Sequence, residues 1–428
     1  MSYIHRHLED TVKRAARNFA AVLVTGARQV GKTRLLRELY PRLPYISMDD
    51  VILHDMALTT PHTIFKNYPP PVILDEVQYA PNLFTHMKLM ADGVYSDKDV
   101  FNHYDKKTRK KYDKIGYRRK GLFFMSGSQQ FALMKNVSES MSGRIGILNL
   151  LGLSRRELIG DNCRLPFIPL NAYYKKRNPG KAASNKDIWK FIQKGSLPEI
   201  HALKNDWEMF YSSYVSTYIE RDVKQLVNIG ESNMFYKFMI AMAAHNGQLL
   251  NYTSITRDIG LSPSTAERWT SILLASNIIY LLQPYHNNIL KRAIKTPKVY
   301  FLDTGLACYL SGWNTSTVLE RGAAAGSFFE TFVIGEIIKS YTNAGREPPL
   351  YFYRDKEQNE IDLLIYENGT LYPLEIKKHG DPSSKDIRAF RFLDIIPGVI
   401  RGTGGVICTY SQLMPLSGED MIIPVSYL

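Results

Sequence analysis

Eight consecutive residues, Gly26-Ala27-Arg28-Gln29-Val30-Gly31-Lys32-Thr33, have the types and spacing needed to grip a phosphate chain. The pattern G-x-x-x-x-G-K-[ST] follows the apolar run 20–25, which reads as a buried strand. It opens the stretch Lys32 to Tyr40, which reads as a helix, and this is the context the motif requires. Glycines let backbone N–H groups wrap phosphate oxygens, and a helix N-terminus adds a favourable dipole. Lys32 is placed to reach β- and γ-phosphates and the Thr33 hydroxyl to ligate Mg²⁺, with Arg34 completing the nucleotide-binding set. Val72-Ile73-Leu74-Asp75-Glu76 is a second apolar strand ending in two acids. Asp75 suits the Mg²⁺ hydration shell and Glu76 the activation of an attacking water. The expected cofactors are therefore ATP and Mg²⁺. Ser128, after the strand from Leu122, could orient that water. Arg144, in Ser142-Gly143-Arg144, could reach a neighbouring subunit's γ-phosphate as a finger; the alternative is pairing with a local carboxylate.

Two further constellations lie downstream. Tyr252 to Gly260 reads as a short helix closed by glycine, and Ser262-Pro263 as the N-cap and first residue of a second. That is the pattern of a helix-turn-helix, with Ser264, Thr265 and Arg268 as candidate base or backbone contacts. Lys291, Arg292 and Lys295 would follow on a wing against phosphates. The alternative is a module used only for packing. Beyond it, Glu360 to Tyr366 and Thr370 to Lys377 alternate as two strands across Asn368-Gly369, the preferred two-residue hairpin turn. The register puts Asp362 opposite Glu375 and Glu360 opposite Lys377, on one face. Ile361, Leu363, Ile365, Leu374 and Ile376 are expected on the other. Opposed carboxylates repel, and a hard cation such as Mg²⁺ between them would turn the penalty into a binding site. The alternative is a solvated face with a cross-strand salt bridge.

The elements that must position these groups follow from texture. Strand-like runs 20–25, 72–74, 122–125 and 145–151 alternate with helical stretches, which predicts a mostly parallel sheet covered on both faces. From about 185 to 245 the pattern is helical, and after the Gly/Ala-rich break Gly322 to Gly326 comes a mixed α/β tail.

The runs Thr25 to Thr33, Ile73-Leu-Asp-Glu-Val-Gln, Met125-Ser-Gly-Ser-Gln-Gln-Phe and Met141-Ser-Gly-Arg together resemble the prokaryotic AAA+ ATPases that carry a C-terminal domain of unknown function. Thr217-Tyr-Ile-Glu-Arg-Asp-Val, Lys298-Val-Tyr-Phe-Leu-Asp-Thr-Gly-Leu and Glu360-Ile-Asp-Leu-Leu-Ile match further motifs of that family. The resemblance implies a winged helix followed by a restriction-endonuclease-like fold. Asp362 and Glu375-Ile-Lys377 resemble the PD-(D/E)xK nuclease core, and Glu330 on the helix Ser327 to Lys339 matches its helical acid. In such a site Glu330, Asp362 and Glu375 hold metal, while Lys377 positions water and balances charge.

Composition bounds the rest. Of 428 residues 45% are hydrophobic and 22% charged, which excludes global disorder. No apolar run approaches the roughly 20 residues of a membrane span. Cys163, Cys308 and Cys408 form no metal or disulfide framework, and the first ten residues carry charge where a secretory signal would be apolar, so a reducing, cytoplasmic location is expected. The balance of 54 Lys+Arg against 41 Asp+Glu favours a polyanionic partner. From Asp97 to Lys120 ten basic residues face four Asp, with four aromatics interleaved. That is either a solvated insertion or a nucleic-acid contact.

The expected architecture is thus an α/β multidomain protein. An AAA+ P-loop core covers 1–170, a helical lid or linker 171–240, a winged helix 241–312 and a nuclease-like domain 315–428. The expected function is ATP hydrolysis acting on nucleic acid, DNA above RNA, by a homo-oligomer with a metal-dependent tail and no membrane partner. The alternative is an ATP-switched regulatory protein whose tail binds nucleic acid or protein without cleaving.

Overall fold

A computed structural model describes residues 3–93, 120–128, 140–177, 179, 184–202, 206–219, 223, 232–257, 259–286 and 296–428. These fall into two compact units, His5–Leu151 and, with the first residues of the chain, Gly152–Leu428.

The first unit is built on five parallel strands: β1 (Ala21–Thr25), β2 (Tyr45–Ser47), β3 (Val72–Asp75), β4 (Phe123–Ser126) and β5 (Ile145–Asn149). Their order is β2-β3-β4-β1-β5. β1, β3 and β4 are buried along their whole length, which is why they read as unbroken apolar runs and not as alternating ones. Leu23, Leu74, Phe123 and Met125 enter one core with Phe65, Phe84 and Met87 from the helices Pro61–Asn67 and Asn82–Asp92. Four of the strands are legible from sequence. β2 is not, because three residues of which only Ile46 is buried leave no periodic signal. The parallel register aligns the carboxyl ends of β1, β3 and β4, the edge at which open α/β sheets take ligands.

The second unit joins what the sequence suggested were separate domains. Its helices include Asn185–Lys194, Trp207–Tyr218, Ser232–Ala244, Tyr252–Arg257 and Pro263–Ala275. The hairpin β6 (Ile279–Pro284) and β7 (Lys298–Phe301) and the helices Thr304–Leu310 and Ala325–Asn343 follow. Then come β8 (Leu350–Arg354), β9 (Glu360–Glu367), β10 (Thr370–Ile376), β11 (Ile400–Arg401), β12 (Gly405–Cys408), β13 (Met414–Ser417) and β14 (Asp420–Pro424). Nine strands share one sheet in the order β13-β14-β12-β10-β9-β8-β6-β7, with β11 against β10. Pairing of Gln283 with Tyr351 therefore fuses the hairpin expected in a free-standing winged helix to the tail's sheet. The unit also starts at Gly152, not near 170. Leu153 N donates to Ser196 O (2.6 Å), Lys339 Nζ to Leu153 O (3.1 Å) and Arg155 N to Glu336 Oε2 (2.8 Å), so residues after Leu151 are tied to the long tail helix.

That helix, Ala325–Asn343, is apolar nearly all round and is buried accordingly. The Asp303-Thr-Gly motif is structural. Asp303 caps the helix Thr304–Leu310 through Leu306 N (2.7 Å) and accepts from Ser196 N (2.6 Å) and the Tyr211 hydroxyl (2.8 Å). A side chain at Gly305 would meet that hydroxyl at 2.2 Å, so the position admits only glycine. Among the described residues no helix is long and apolar enough to cross a membrane.

Candidate active sites

The phosphate-binding loop runs from the end of β1 into the helix Lys32–Leu39. Gly26 and Gly31 take φ of 145° and 94°, and a Cβ on Gly26 would lie 2.1 Å from Leu150 O. Only glycine lets the loop pass this closely to the neighbouring strand's exit. Gln29, also left-handed at φ 59°, is exposed, while Ala27 and Val30 are buried and Arg28 half-buried. Arg6, which no motif marks, is buried beneath the loop: its guanidinium donates to Val30 O (2.8 Å) and Leu151 O (2.7 Å). Lys32 lies across its own loop, donating to Gly26 O (3.0 Å) and Ala27 O (2.8 Å). Arg34 pairs with Glu38 one turn on (2.6 Å).

Thr33 and Asp75 meet as expected, with Thr33 Oγ1 2.9 and 3.0 Å from the two carboxylate oxygens. Two further hydroxyls, Tyr45 (2.8 Å) and Ser126, donate to the same carboxylate. Ser126 was within a recognised motif; Tyr45, on the short β2, had no sequence signal. Glu76 adopts the left-handed region at φ 53°, a conformation that costs about 1–3 kcal/mol and persists where surrounding structure imposes it. Its Oε2 accepts from Gln78 and, at 3.4 Å, from Ser128. Ser126 at the end of β4 and Ser128 just beyond it thus divide between the two acids. Arg144 takes the local alternative here. It forms a two-point contact with Asp92, Nε to Oδ1 at 2.5 Å and Nη2 to Oδ2 at 2.9 Å, which holds the Asp92 carboxyl below its ordinary range.

The tail hairpin has the expected turn, with Asn368 and Gly369 at φ 51° and 81°, and the expected register from Thr370↔Glu367 to Leu374↔Leu363. Simple alternation fails at one point. The ladder to β8 shifts from Tyr351↔Leu364 to Tyr353↔Ile361, so Ile361 and Leu364 join the same core. A β-bulge places two residues of β9 against one of β8, and this re-aims the strand around Asp362. Asp362 Oδ2 accepts from Ile376 N (2.9 Å), which fastens it to β10.

Asp362 and Glu375 do come together, but a lysine stands with them. Lys377 Nζ is 2.7 Å from Glu375 Oε2 and 3.3 Å from Asp362 Oδ2. Glu330 is held by the Tyr300 hydroxyl (2.5 Å) and by Lys298 Nζ (3.2 Å). Among the described residues, no three Asp, Glu, His or Cys side chains are grouped so as to hold a metal ion; Glu330, Asp362 and Glu375 each lie against a lysine instead. Burial and the Asp362 charge push both the Glu330 and Glu375 carboxyls well above the ordinary carboxylate range. Burial opposes the charge on Lys377, but Asp362 and Glu375 outweigh it and raise its pKa.

Of the residues read as nucleic-acid contacts, Ser264 and Arg268 are exposed on the helix Pro263–Ala275, opposite the buried Ala266, Trp269 and Leu273. Thr265 is half-buried; its N–H donates to the capping Ser262 Oγ (3.1 Å) and its hydroxyl is 2.8 Å from the same oxygen. Lys291, Arg292 and Lys295, and the basic stretch 97–119, lie outside the described residues. Lys298, three residues beyond the first of those clusters, is buried between the carboxylates of Glu330 and Glu360.

Comparison with known proteins follows the same division. Residues 18–103 match a family model described as an AAA domain, 185–317 a domain of unknown function (DUF8612) and 325–428 another (DUF4143). An uncharacterized protein of Mycobacterium tuberculosis is 27% identical over 382 residues, 88% of this chain and 75% of its own length, and a Mycobacterium bovis protein matches equally. Among solved structures, a Walker-type ATPase of Pyrococcus abyssi superposes at TM-score 0.40 with 14% identity, covering 71% of this chain and 94% of its own. The Thermotoga maritima Holliday junction branch migration motor does so at 0.28 with 12% identity, over 64% of this chain and 86% of its own. At these scores neither structure carries an argument beyond the motifs and the AAA match.

Proposed function

Starting from an amino-terminal unit that is a P-loop ATPase domain of the AAA type, we propose that ATP hydrolysis in this protein serves work on nucleic acid, DNA above RNA, by a tail with a nuclease-type metal site. The observation that carries the reading is the meeting of Asp362, Glu375 and Lys377 at β9 and the end of β10, with Glu330 on the long helix, its carboxyl pushed up by burial and then by the Asp362 charge. Acids so placed repel, and all-oxygen donors of this kind suit Mg²⁺. Glu330, Asp362 and Glu375 would hold the ion, which would act as a Lewis acid on a phosphodiester. Lys377 would orient water and balance developing charge. In the ATPase domain Thr33 and Asp75 would hold Mg²⁺, and Lys32 would turn from its own loop to the β/γ-phosphates.

The order Ser232–Ala244, the bridge Leu249↔Lys298, Tyr252–Arg257, Pro263–Ala275 and the β6–β7 hairpin supports a winged helix presenting Ser264 and Arg268 to the nucleic acid. One observation favours the second reading, an ATP-switched regulator with a non-cleaving tail: the carboxylates already lie against lysines. The experiment is turnover of ATP and of plasmid DNA together. We expect DNA to stimulate ATPase several-fold and Mg²⁺ to support strand scission. DNA-indifferent turnover with intact plasmid would favour the regulator.

Assembly is proposed on Arg144. An exposed ion pair holds its partners weakly, so Arg144 can exchange Asp92 for a neighbour's γ-phosphate. Arg144→Ala should lower turnover roughly tenfold or more while sparing nucleotide affinity. Mixing it with Lys32→Ala protein should recover activity at shared interfaces. A monomer whose turnover ignores Arg144→Ala would sink the idea.

A further inference from the structure

Lys298 opens β7, upstream of the tail and outside the Asp…Glu-x-Lys pattern. Its ammonium lies 2.6 Å from Glu360 Oε1 and 3.2 Å from Glu330 Oε1, with its side chain only 5% exposed. The Phe352 ring lies 5.5 Å away. Two residues on, and so on the same face of the strand, the Tyr300 hydroxyl donates to Glu330 Oε1. One acid of the tail site is therefore held at a single oxygen by a cation and a hydroxyl that another segment supplies. β7 is tied to β6 from Ile279↔Phe301 to Leu282↔Lys298, and β6 to β8, so the sheet fixes where this ammonium stands. A buried ammonium between two acids is held firmly, because removing either partner strands a charge. A divalent cation approaching Glu330 meets that ammonium as a like charge.

We infer that Lys298 is a resident counter-ion of the tail site, a positioning residue that competes with divalent metal for Glu330 and sets the affinity of the site. The inference rests on the metal-site reading of Glu330, Asp362 and Glu375. It places control of that site in β7, the second strand after the helix Pro263–Ala275.

The test is calorimetric titration of the nucleotide-free full chain with Mn²⁺, for the parent, Lys298→Met, Lys298→Arg and Tyr300→Phe, each with and without Asp362→Asn. Lys298→Met should bind Mn²⁺ at least about tenfold more tightly than the parent, in a step that Asp362→Asn removes. Lys298→Arg keeps the charge and should stay near the parent; Tyr300→Phe should tighten binding less than Lys298→Met. Equal affinity in parent and Lys298→Met, with the Asp362-dependent step present in both, overturns the inference and leaves the metal-site reading standing. Absence of that step from every protein overturns both. If Lys298→Met loses its cooperative melting, Tyr300→Phe decides, and parental affinity there overturns the inference.

Discussion

Glu76→Gln will bind ATP and hydrolyse it about 10²- to 10⁴-fold more slowly, the size of a lost general base. Glutamine keeps the shape of the side chain and an acceptor for Gln78 and Ser128, so the left-handed turn at position 76 should survive and only water activation should fail. Lys32→Ala should behave differently. Lys32 is buried against its own loop and its ammonium is the charge available to the β- and γ-phosphates, so tight nucleotide binding should disappear. Equilibrium binding of a fluorescent ATP analogue, run beside phosphate release, separates the two. Parental turnover in Glu76→Gln would remove Glu76 from the mechanism.

Divalent metal should raise the melting temperature of the full chain through the tail, by roughly 2–4 °C for each kcal/mol of linked binding. Asp362→Asn should abolish that shift. It keeps an acceptor for Ile376 N while deleting the charge that opposes Glu375, so its metal-free stability should stay near the parent's. Lys377→Ala should reduce any cleavage by about 10²-fold or more. It should also lower metal-free stability, because Glu375 is buried and loses its nearest cation. Its metal-induced shift should consequently exceed the parent's. The full chain is required: a fragment starting at 315 lacks β6 and β7, and with them one of the two partners of β8 and two of the groups on Glu330. An equal metal shift in the parent and Asp362→Asn would make the hairpin face ordinary surface.

Local chemistry was legible in this chain and long-range company was not. The phosphate loop, the two acids after β3, the Asn-Gly turn and the register that opposes Asp362 to Glu375 all depend on neighbours within a few residues or on a two-residue period. Strand runs buried on both faces announce themselves by composition for the same reason. Arg6 under the loop, Tyr45 and Ser126 on Asp75, and Lys298 and Tyr300 on Glu330 come from segments distant in sequence, where no spacing rule connects them. The β-bulge that re-aims β9 depends on β8, and fusion of the β6–β7 hairpin to the tail depends on which sheet edge lies open. Sequence alone therefore determined which residues carry charge and how the β9–β10 hairpin pairs. Tertiary structure decided which charges meet, because a buried acid takes whichever cation the packing of other segments brings within hydrogen-bonding reach.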